Sequence, residues 1–304
     1  MVVLAGPTGI GKTAIGIELA KEFKSEIVSS DSRQVYQEMT IGTAVPSKEE
    51  LESAKHYFIH THSIHQRFNA STYEQEVMVK LEELFQTLDI VFLVGGSGMY
   101  IDALCYGIDD LPTITPEVRQ KYEFIFQKEG IEKIRQLTQE IDPEYYKVVD
   151  VNNHKRMLKA LEVYEMTGKT YSSQLKREKK KRSFQTVKLA LDMPREELYE
   201  RINQRVIAMK QMGLVEEARS LHKYKGLVPL KTVGYKELFE YFEGDISEDE
   251  AIVQIQNHSR AYARRQLTWF RRDNSYKWFL PTEISEMKNY IRESLNAGIP
   301  GNPT

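Results

Sequence analysis

The chain has 304 residues, of which 41% are hydrophobic and 28% charged, an ordinary globular balance with length enough for two domains. No apolar stretch approaches the roughly 18 residues that read as a membrane span, and the start Met1-Val2-Val3-Leu4-Ala5 lacks the basic opening of a signal peptide. A single cysteine, Cys105, excludes an intramolecular disulfide and fits a reducing cytosol, and the net charge of −2 does not advertise a nucleic-acid binder.

Local counting changes that impression. From His154 to Lys188 there are eleven Lys or Arg against three Glu, a balance of +8, and SRAYARRQLTWFRRD (259–273) carries five Arg against one Asp. Positive charge segregated in this way often meets phosphate.

Residues 2–5 read as a short buried strand and Thr13 to Phe23 as a helix. Between them, Gly6-Pro7-Thr8-Gly9-Ile10-Gly11-Lys12-Thr13 matches G-x-x-x-x-G-K-[ST]. Glycines let the backbone wrap phosphate with N–H groups, and the helix N-terminus adds its positive dipole end. Lys12 neutralises an outer phosphate in such a loop, and the Thr13 hydroxyl holds Mg²⁺. The motif says phosphate, not nucleotide, because a diphosphate ester fits it as well as a triphosphate tail.

A second strand, 26–30, places Asp31 at its C-terminal end, beside the loop at a neighbouring strand end in this kind of sheet. Asp31 there binds Mg²⁺ through water, takes a proton from a nucleophile, or merely caps a helix from Ser32. Residues 56–60 read as a strand or an ordered loop. His56, His60, His62 and His65 lack the spacing and the cysteines of a zinc site. A helix over Thr72–Leu88 leads to the strand 90–94, which ends in Gly95-Gly96 where a triphosphatase usually carries an Asp. Glycines at that tip suit a substrate approaching bare backbone, and point to transfer onto a bulky acceptor instead of triphosphate hydrolysis. Cys105, after Ile101 and Leu104, reads as core packing.

After Leu111-Pro112 the strand signal stops. Residues 116–182 read as helices, with Pro116 at a start, Gly130 as a break, Asp142-Pro143 as a turn and Gly168 as a stop. Lys176 to Arg182 (KREKKKR) reads as a solvated helix end or loop. One more strand, 187–192, precedes helices at 195–212, 214–224, 235–242 and about 247–272, then a Gly/Pro-rich tail, NAGIPGNPT, expected to fray. Tyr262, Trp269 and Phe270 read as core packing for the long helix. The fold class expected is α/β, a P-loop NTPase-like parallel sheet flanked by helices, with an inserted all-helical domain: 1–111 core, 112–186 insertion, 187–304 return.

Eight ordered stretches resemble the tRNA dimethylallyltransferase (tRNA isopentenyltransferase, IPP transferase) family: GPTGIGKT (6–13), DSRQVY (31–36), IGTAVPS (41–47), GGSGMY (95–100), NNHKRMLKALEVYEMTG (152–168), REELYERINQRVIAMKQMGLVEEA (195–218), TVGYKEL (232–238) and SRAYARRQLTWFRRD (259–273). Departures are small. Gly9-Ile10 stands for the common Ala-Ser, Ser97 for Thr, Val45 for Lys, and Lys55-His56-Tyr57-Phe58 for a double-His stretch.

The resemblance implies transfer of a dimethylallyl group from dimethylallyl diphosphate to N6 of adenosine 37 in the anticodon stem-loop of tRNA. It implies that residues 6–13 and Arg205 hold the diphosphate, with Mg²⁺ on Thr13, and that Asp31 is the base. It implies tRNA contacts from Asp31, Ser32, Arg33, Gln34, Gly95, Gly96 and Ser97 in a channel, and from Arg119, Lys155, Arg156, Lys159, Arg260 and Arg264 elsewhere. The ordinary alternatives are an exposed helix-surface contact for Arg205 and a solvated face for the basic helices. An ATP-using small-molecule or nucleoside kinase has the same loop, the same Asp and an inserted helical block, and a non-catalytic RNA binder retaining the loop is a third reading. No exposed heptad pattern asks for an oligomer, so the expectation is a cytoplasmic monomer.

Overall fold

A computed structural model describes residues 1–109, 111–175 and 179–296. The first three residues of the KREKKKR run and all but the first residue of the NAGIPGNPT tail lie outside the described residues. The elements are β1 (Val2–Ala5), α1 (Lys12–Glu22), β2 (Ile27–Ser29), α2 (Lys48–Ser53), β3 (His56–Tyr57), α3 (Ala70–Leu84), β4 (Phe92–Gly95), α4 (Gly98–Tyr106), α5 (Pro116–Ile141), α6 (Pro143–Tyr146), α7 (His154–Thr167) and α8 (Tyr171–Gln174). They continue with β5 (Val187–Leu191), α9 (Arg195–Gln211), α10 (Leu214–Leu221), α11 (Tyr235–Glu243), α12 (Glu248–Phe270), β6 (Lys277–Phe279) and α13 (Ile284–Asn296).

The six strands form one parallel sheet in the order β3-β2-β4-β1-β5-β6. VVLA, IVS, FLVG and VKLAL are buried throughout, as continuous apolar runs covered on both faces should be. The exception in that run, Lys188, is buried but paired with Asp273 at 2.7 Å. Leu4, Ile17, Phe92, Leu189, Ile202 and Met287 belong to one core.

Two expectations are corrected. The strand ends carrying Lys12-Thr13 and Asp31 are not neighbours: β4, with Gly95, runs between β1 and β2. The region past 193 is not all helical, because Lys277-Trp278-Phe279 pairs with β5 as the edge strand β6. That strand is three residues long with an exposed first residue, too short for a period to register. The 56–60 stretch yields only two strand residues, since Phe58 and His60 take positive φ (62° and 52°). Helix α3 begins earlier than expected because the Asn69 side chain accepts the amides of Ser71 and Thr72.

The chain divides into Met1–Cys105 with Arg182–Thr304, and a helical unit, Tyr106–Lys181. Within the latter, Thr115 caps α5 ahead of Pro116, Gly130 (φ 75°) breaks it, and Gly168 (φ 67°) closes α7 in the left-handed conformation. Its own core includes Tyr122, Ile134, Tyr145, Met157 and Leu161. Among the described residues, no helix is long and apolar enough to cross a membrane.

Candidate active site

A cavity of about 780 Å³ opens at the C-terminal ends of β1, β2 and β4, where ligands bind in open α/β sheets. The loop after β1 forms its phosphate-sized part. Gly11 sits at φ 99° as the N-cap of α1, with no side-chain cap bond and no acidic residue in the first turn. The amides at this helix start are therefore not spent on a cap and suit an anion. Lys12 Nζ donates to Pro7 O at 2.7 Å, and Thr13 lines the cavity.

Arg205 reaches this loop from α9, its Nη1 donating to Thr8 Oγ1 at 3.1 Å. It is half-buried in the cavity wall and not an exposed helix-surface residue. Burial lowers the Lys12 amine to about 7, with Arg205 adding to the shift and Asp31 opposing it. Burial likewise lowers Arg205, against the pull of Asp31. Two cations held close in a desolvated wall are primed for an anion.

Asp31 lines the same cavity from the end of β2. Its Oδ1 accepts the amides of Arg33 (2.8 Å) and Gln34 (3.3 Å), capping a turn and not a helix. The β1 and β2 tips lie two strand spacings apart, roughly 10 Å, with the β4 tip between them.

The reason for glycine at that tip is corrected. A Cβ on Gly95 would lie 2.3 Å from Ser30 Oγ and 2.5 Å from Ser30 backbone, and one on Gly96 would lie 2.3 Å from Gln266 Nε2. The chain's own packing excludes side chains there, although both glycines also line the cavity. Ser97 is buried and not among the lining residues; its Oγ accepts the Ser32 amide at 2.9 Å. The expected channel contact from Ser97 is replaced by a structural bond, and Ser32 stays in the wall. Gln34 also lines the cavity, but its amide already donates to Ala44 O (2.9 Å) and Thr43 O (3.3 Å) while its Oε1 accepts Ser29 Oγ at 3.3 Å. Arg33 donates through Nη1 to Ser32 O at 3.0 Å, and its buried Nε has no partner.

The sequence reading missed Gln266 and misplaced Tyr262. Gln266 Oε1 accepts the Thr8 amide at 2.9 Å and its Nε2 donates to Gly96 O at 2.8 Å, tying the phosphate loop to the β4 tip. Tyr262 faces the cavity; burial, with Asp31 adding, pushes its phenol up to about 12. Ile255, Ser259, Tyr262 and Gln266 all line the cavity, and their 4-3-4 spacing is one face of a helix. That signal was legible but masked by the arginines beside it. Phe270 is buried as expected, and Trp269 packs on Gly98 with its Nε1 donating to Asp102 at 2.8 Å.

Arg260 and Arg264 turn toward α9: Arg260 Nη1 donates to Asn203 Oδ1 at 2.6 Å and Arg264 Nη1 to Tyr199 OH at 2.9 Å. In the helical unit, Arg119 Nε lies 3.5 Å from Glu162, Lys155 and Arg156 are exposed, and Lys159 also acts on Glu162. The histidines go to separate partners, for example His56 to Ala54 O and His65 against Tyr224. Cys105 is buried, and burial raises its thiol to about 11.

The pattern of the family described as IPP transferase matches residues 34–273. Over 295 residues, covering 97% of this chain and 98% of the other, the sequence is 47% identical to tRNA dimethylallyltransferase 1 of Bacteroides fragilis. It is 47% identical over 291 residues to the protein of that name from Phocaeicola vulgatus, covering 96% and 97% of the two chains. The crystal structure of a tRNA isopentenylpyrophosphate transferase from Bacillus halodurans superposes with a TM-score of 0.71 at 31% identity, covering 97% of this chain and 96% of that one. The family match runs from just past Asp31 through the Arg205 helix to beyond the end of α12, and the similarity to the relatives covers nearly the whole chain, so the chain belongs to the IPP transferase family.

Proposed function

We propose that this chain is a tRNA dimethylallyltransferase, moving the dimethylallyl group of dimethylallyl diphosphate onto N6 of adenosine 37 beside the tRNA anticodon and releasing diphosphate. The carrying observation is that one cavity holds an uncapped helix start with Lys12 and Arg205 at one strand end and Asp31 at another, with bare glycines at the strand end between.

The loop 6–13 binds the diphosphate through its backbone amides, other than Pro7, which has none, and Thr8, whose amide is held by Gln266. Lys12 and Arg205 add charge, Arg205 through a planar fork that matches phosphate oxygens. Their positive charge stabilises the leaving diphosphate as the allylic C–O bond breaks, which is the main electrostatic demand of the reaction. The adenine leaves its stack to enter the cavity, and its N6 forms the new N–C bond. Asp31 takes the proton that N6 loses. The roughly 10 Å between the two strand tips leaves the reacting carbon between leaving group and base, as in-line displacement requires.

Mg²⁺ fits this site. Among the described residues no acidic or His/Cys cluster would cage a metal, so the ion would be held by the Thr13 hydroxyl and the diphosphate oxygens, the usual mode for Mg²⁺ on phosphates. When bound it supplies neutralising charge to the leaving group. Arg119, Lys155, Arg156, Lys159, Arg260 and Arg264 contribute phosphate contacts, with Asp31, Ser32, Arg33, Gln34, Gly95 and Gly96 around the flipped nucleotide. The reading includes a monomer working on the anticodon stem-loop in the cytoplasm.

The test is a transfer assay with Mg²⁺, labelled dimethylallyl diphosphate and unmodified tRNA bearing A36-A37-A38. Label on A37 with wild type, lost with Asp31→Ala, is the expected result. No label, together with Mg²⁺-dependent phosphate transfer from ATP to a small acceptor, makes the protein a kinase instead.

A further inference from the structure

Residues 40–46 wall part of the cavity, through Gly42, Thr43, Ala44, Val45 and Pro46. Three consecutive backbone amides at the start of this segment converge on one carboxylate. Glu217, on α10, accepts Thr40 N (3.0 Å) and Ile41 N (2.8 Å) on Oε2 and Gly42 N (2.9 Å) on Oε1. Tyr235 OH, at the start of α11, donates to the same Oε1 at 2.7 Å. Successive amides in such a concavity form a nest that ordinarily takes an anion. Here the chain supplies its own, through charge-assisted bonds of the stronger kind.

A second constraint comes from shape. A Cβ on Gly42 would lie 2.7 Å from the ring of Tyr235, and Tyr235 is fully buried. Burial, with Glu217 beside it, pushes the phenol well above its usual range, so it stays a donor. The far end of the segment is held separately: Gln34 donates to the carbonyls of Thr43 and Ala44, and Ala44 adopts φ 49°. Gln34's own amide bonds Asp31. A continuous run of hydrogen bonds thus leads from Asp31 through Gln34 and the wall to Glu217 and Tyr235.

We infer that Glu217 and Tyr235 form a clip that positions the 40–46 wall, and through it the Asp31 turn, making Glu217 a positioning residue for the transfer step. The inference rests on the transferase reading above. The diphosphate side is held by other bonds, those of Arg205 and Gln266 to Thr8, so loosening the clip acts first on the acceptor side of the reaction.

Glu217→Gln retains one acceptor oxygen but turns an NH₂ toward a backbone donor, and Tyr235→Phe keeps the ring on Gly42 while removing the OH. Both variants are assayed for steady-state transfer and for amide hydrogen exchange over residues 36–46, with Glu216→Gln, on the exposed side of α10, as control. The expected result is faster exchange at 40–42 and a kcat lowered roughly 10–100-fold, the scale of a misplaced catalytic group, with the KM for dimethylallyl diphosphate and the pH profile unchanged and the control silent. Exchange as slow as in wild type overturns the clip. Faster exchange with unchanged kcat overturns its role in transfer, and so does a kcat that falls together with a rising donor KM. Should Glu217→Gln fail to fold, Tyr235→Phe decides by the same readouts. A wild type that transfers no label refutes the assigned reaction, while amide exchange still decides whether the clip holds the wall.

Discussion

Lys12 illustrates how far a single side chain departs from its free chemistry. Its amine is lowered from 10.5 to about 7, by burial first and by Arg205 second, so before an anion binds it loses its proton as pH rises through about 7. An arriving diphosphate raises that pKa again. Binding above pH 7 therefore takes up a proton, and affinity for the donor falls as pH climbs from 7 toward 9. Calorimetry at pH 8 in buffers of different ionisation enthalpy should register the uptake, and Lys12→Ala should abolish it. Asp31 separates in the same way into structure and chemistry. Asp31→Asn keeps an acceptor for the amides of Arg33 and Gln34 but cannot take a proton, so kcat should fall about 10²–10⁴-fold with the melting temperature unchanged. At this scale the sequence was most legible where a motif demands a residue, as at Gly11, Lys12 and Asp31. It was least legible where a long-range partner decides, as at Ser97, whose hydroxyl goes to Ser32, and at Gln34, whose amide goes to the backbone of 43–44.

Elements follow their local signals closely. The capping box of Ser247 and Glu250 starts α12 where the pattern places it, and Gly130 and Gly168 act as read. Gly130 has open space around its Cβ position but sits at φ 75°, ψ −173°, a region nearly closed to other residues. Gly130→Ala should cost about 1–3 kcal/mol of the helical unit's stability through strain alone, measurable by urea unfolding. Asp142 shows what a turn signal leaves out. Its Oδ1 accepts Tyr145 N and Ser172 Oγ and its Oδ2 accepts Ser172 N at 2.7 Å, so one buried carboxylate joins α6 to α8. Asp142→Ala should cost about 1–3 kcal/mol for the donors left unpaired. The elements that the sequence left unread were α2, α4, α13 and the edge strand β6, the last because three residues carry no usable period and the partner strand supplies the order.

Across the whole molecule, the parallel α/β class was legible because apolar runs alternate with helical patterns, but the strand order was not. That order puts β4 between β1 and β2 and makes Gly95-Gly96 the floor between the phosphate loop and Asp31. Charge acts at this scale too. Lys155 and Arg156 are exposed on α7, so replacing both with Gln should weaken tRNA binding with little sequence preference. The slope of log K against log salt should shrink by about 1 for each phosphate that is no longer neutralised. Filter binding over a salt series reads this directly, and an unchanged slope removes them from the interface.

The sheet is also assembled from two stretches of chain that the ribosome makes at different times. Strand β1 is flanked by β4 and β5, and β5 emerges only after the 91 residues, 96–186, that follow β4 and include the helical unit. At elongation rates of about 5–20 residues per second, β1 then waits roughly 5–18 s with one edge unpaired. An apolar, fully buried strand in that condition is a template for wrong pairing. The nascent chain therefore depends on the helical unit closing on its own core while the central strand stands open, and a slow-folding variant of that unit should aggregate during synthesis while leaving the finished enzyme's stability untouched.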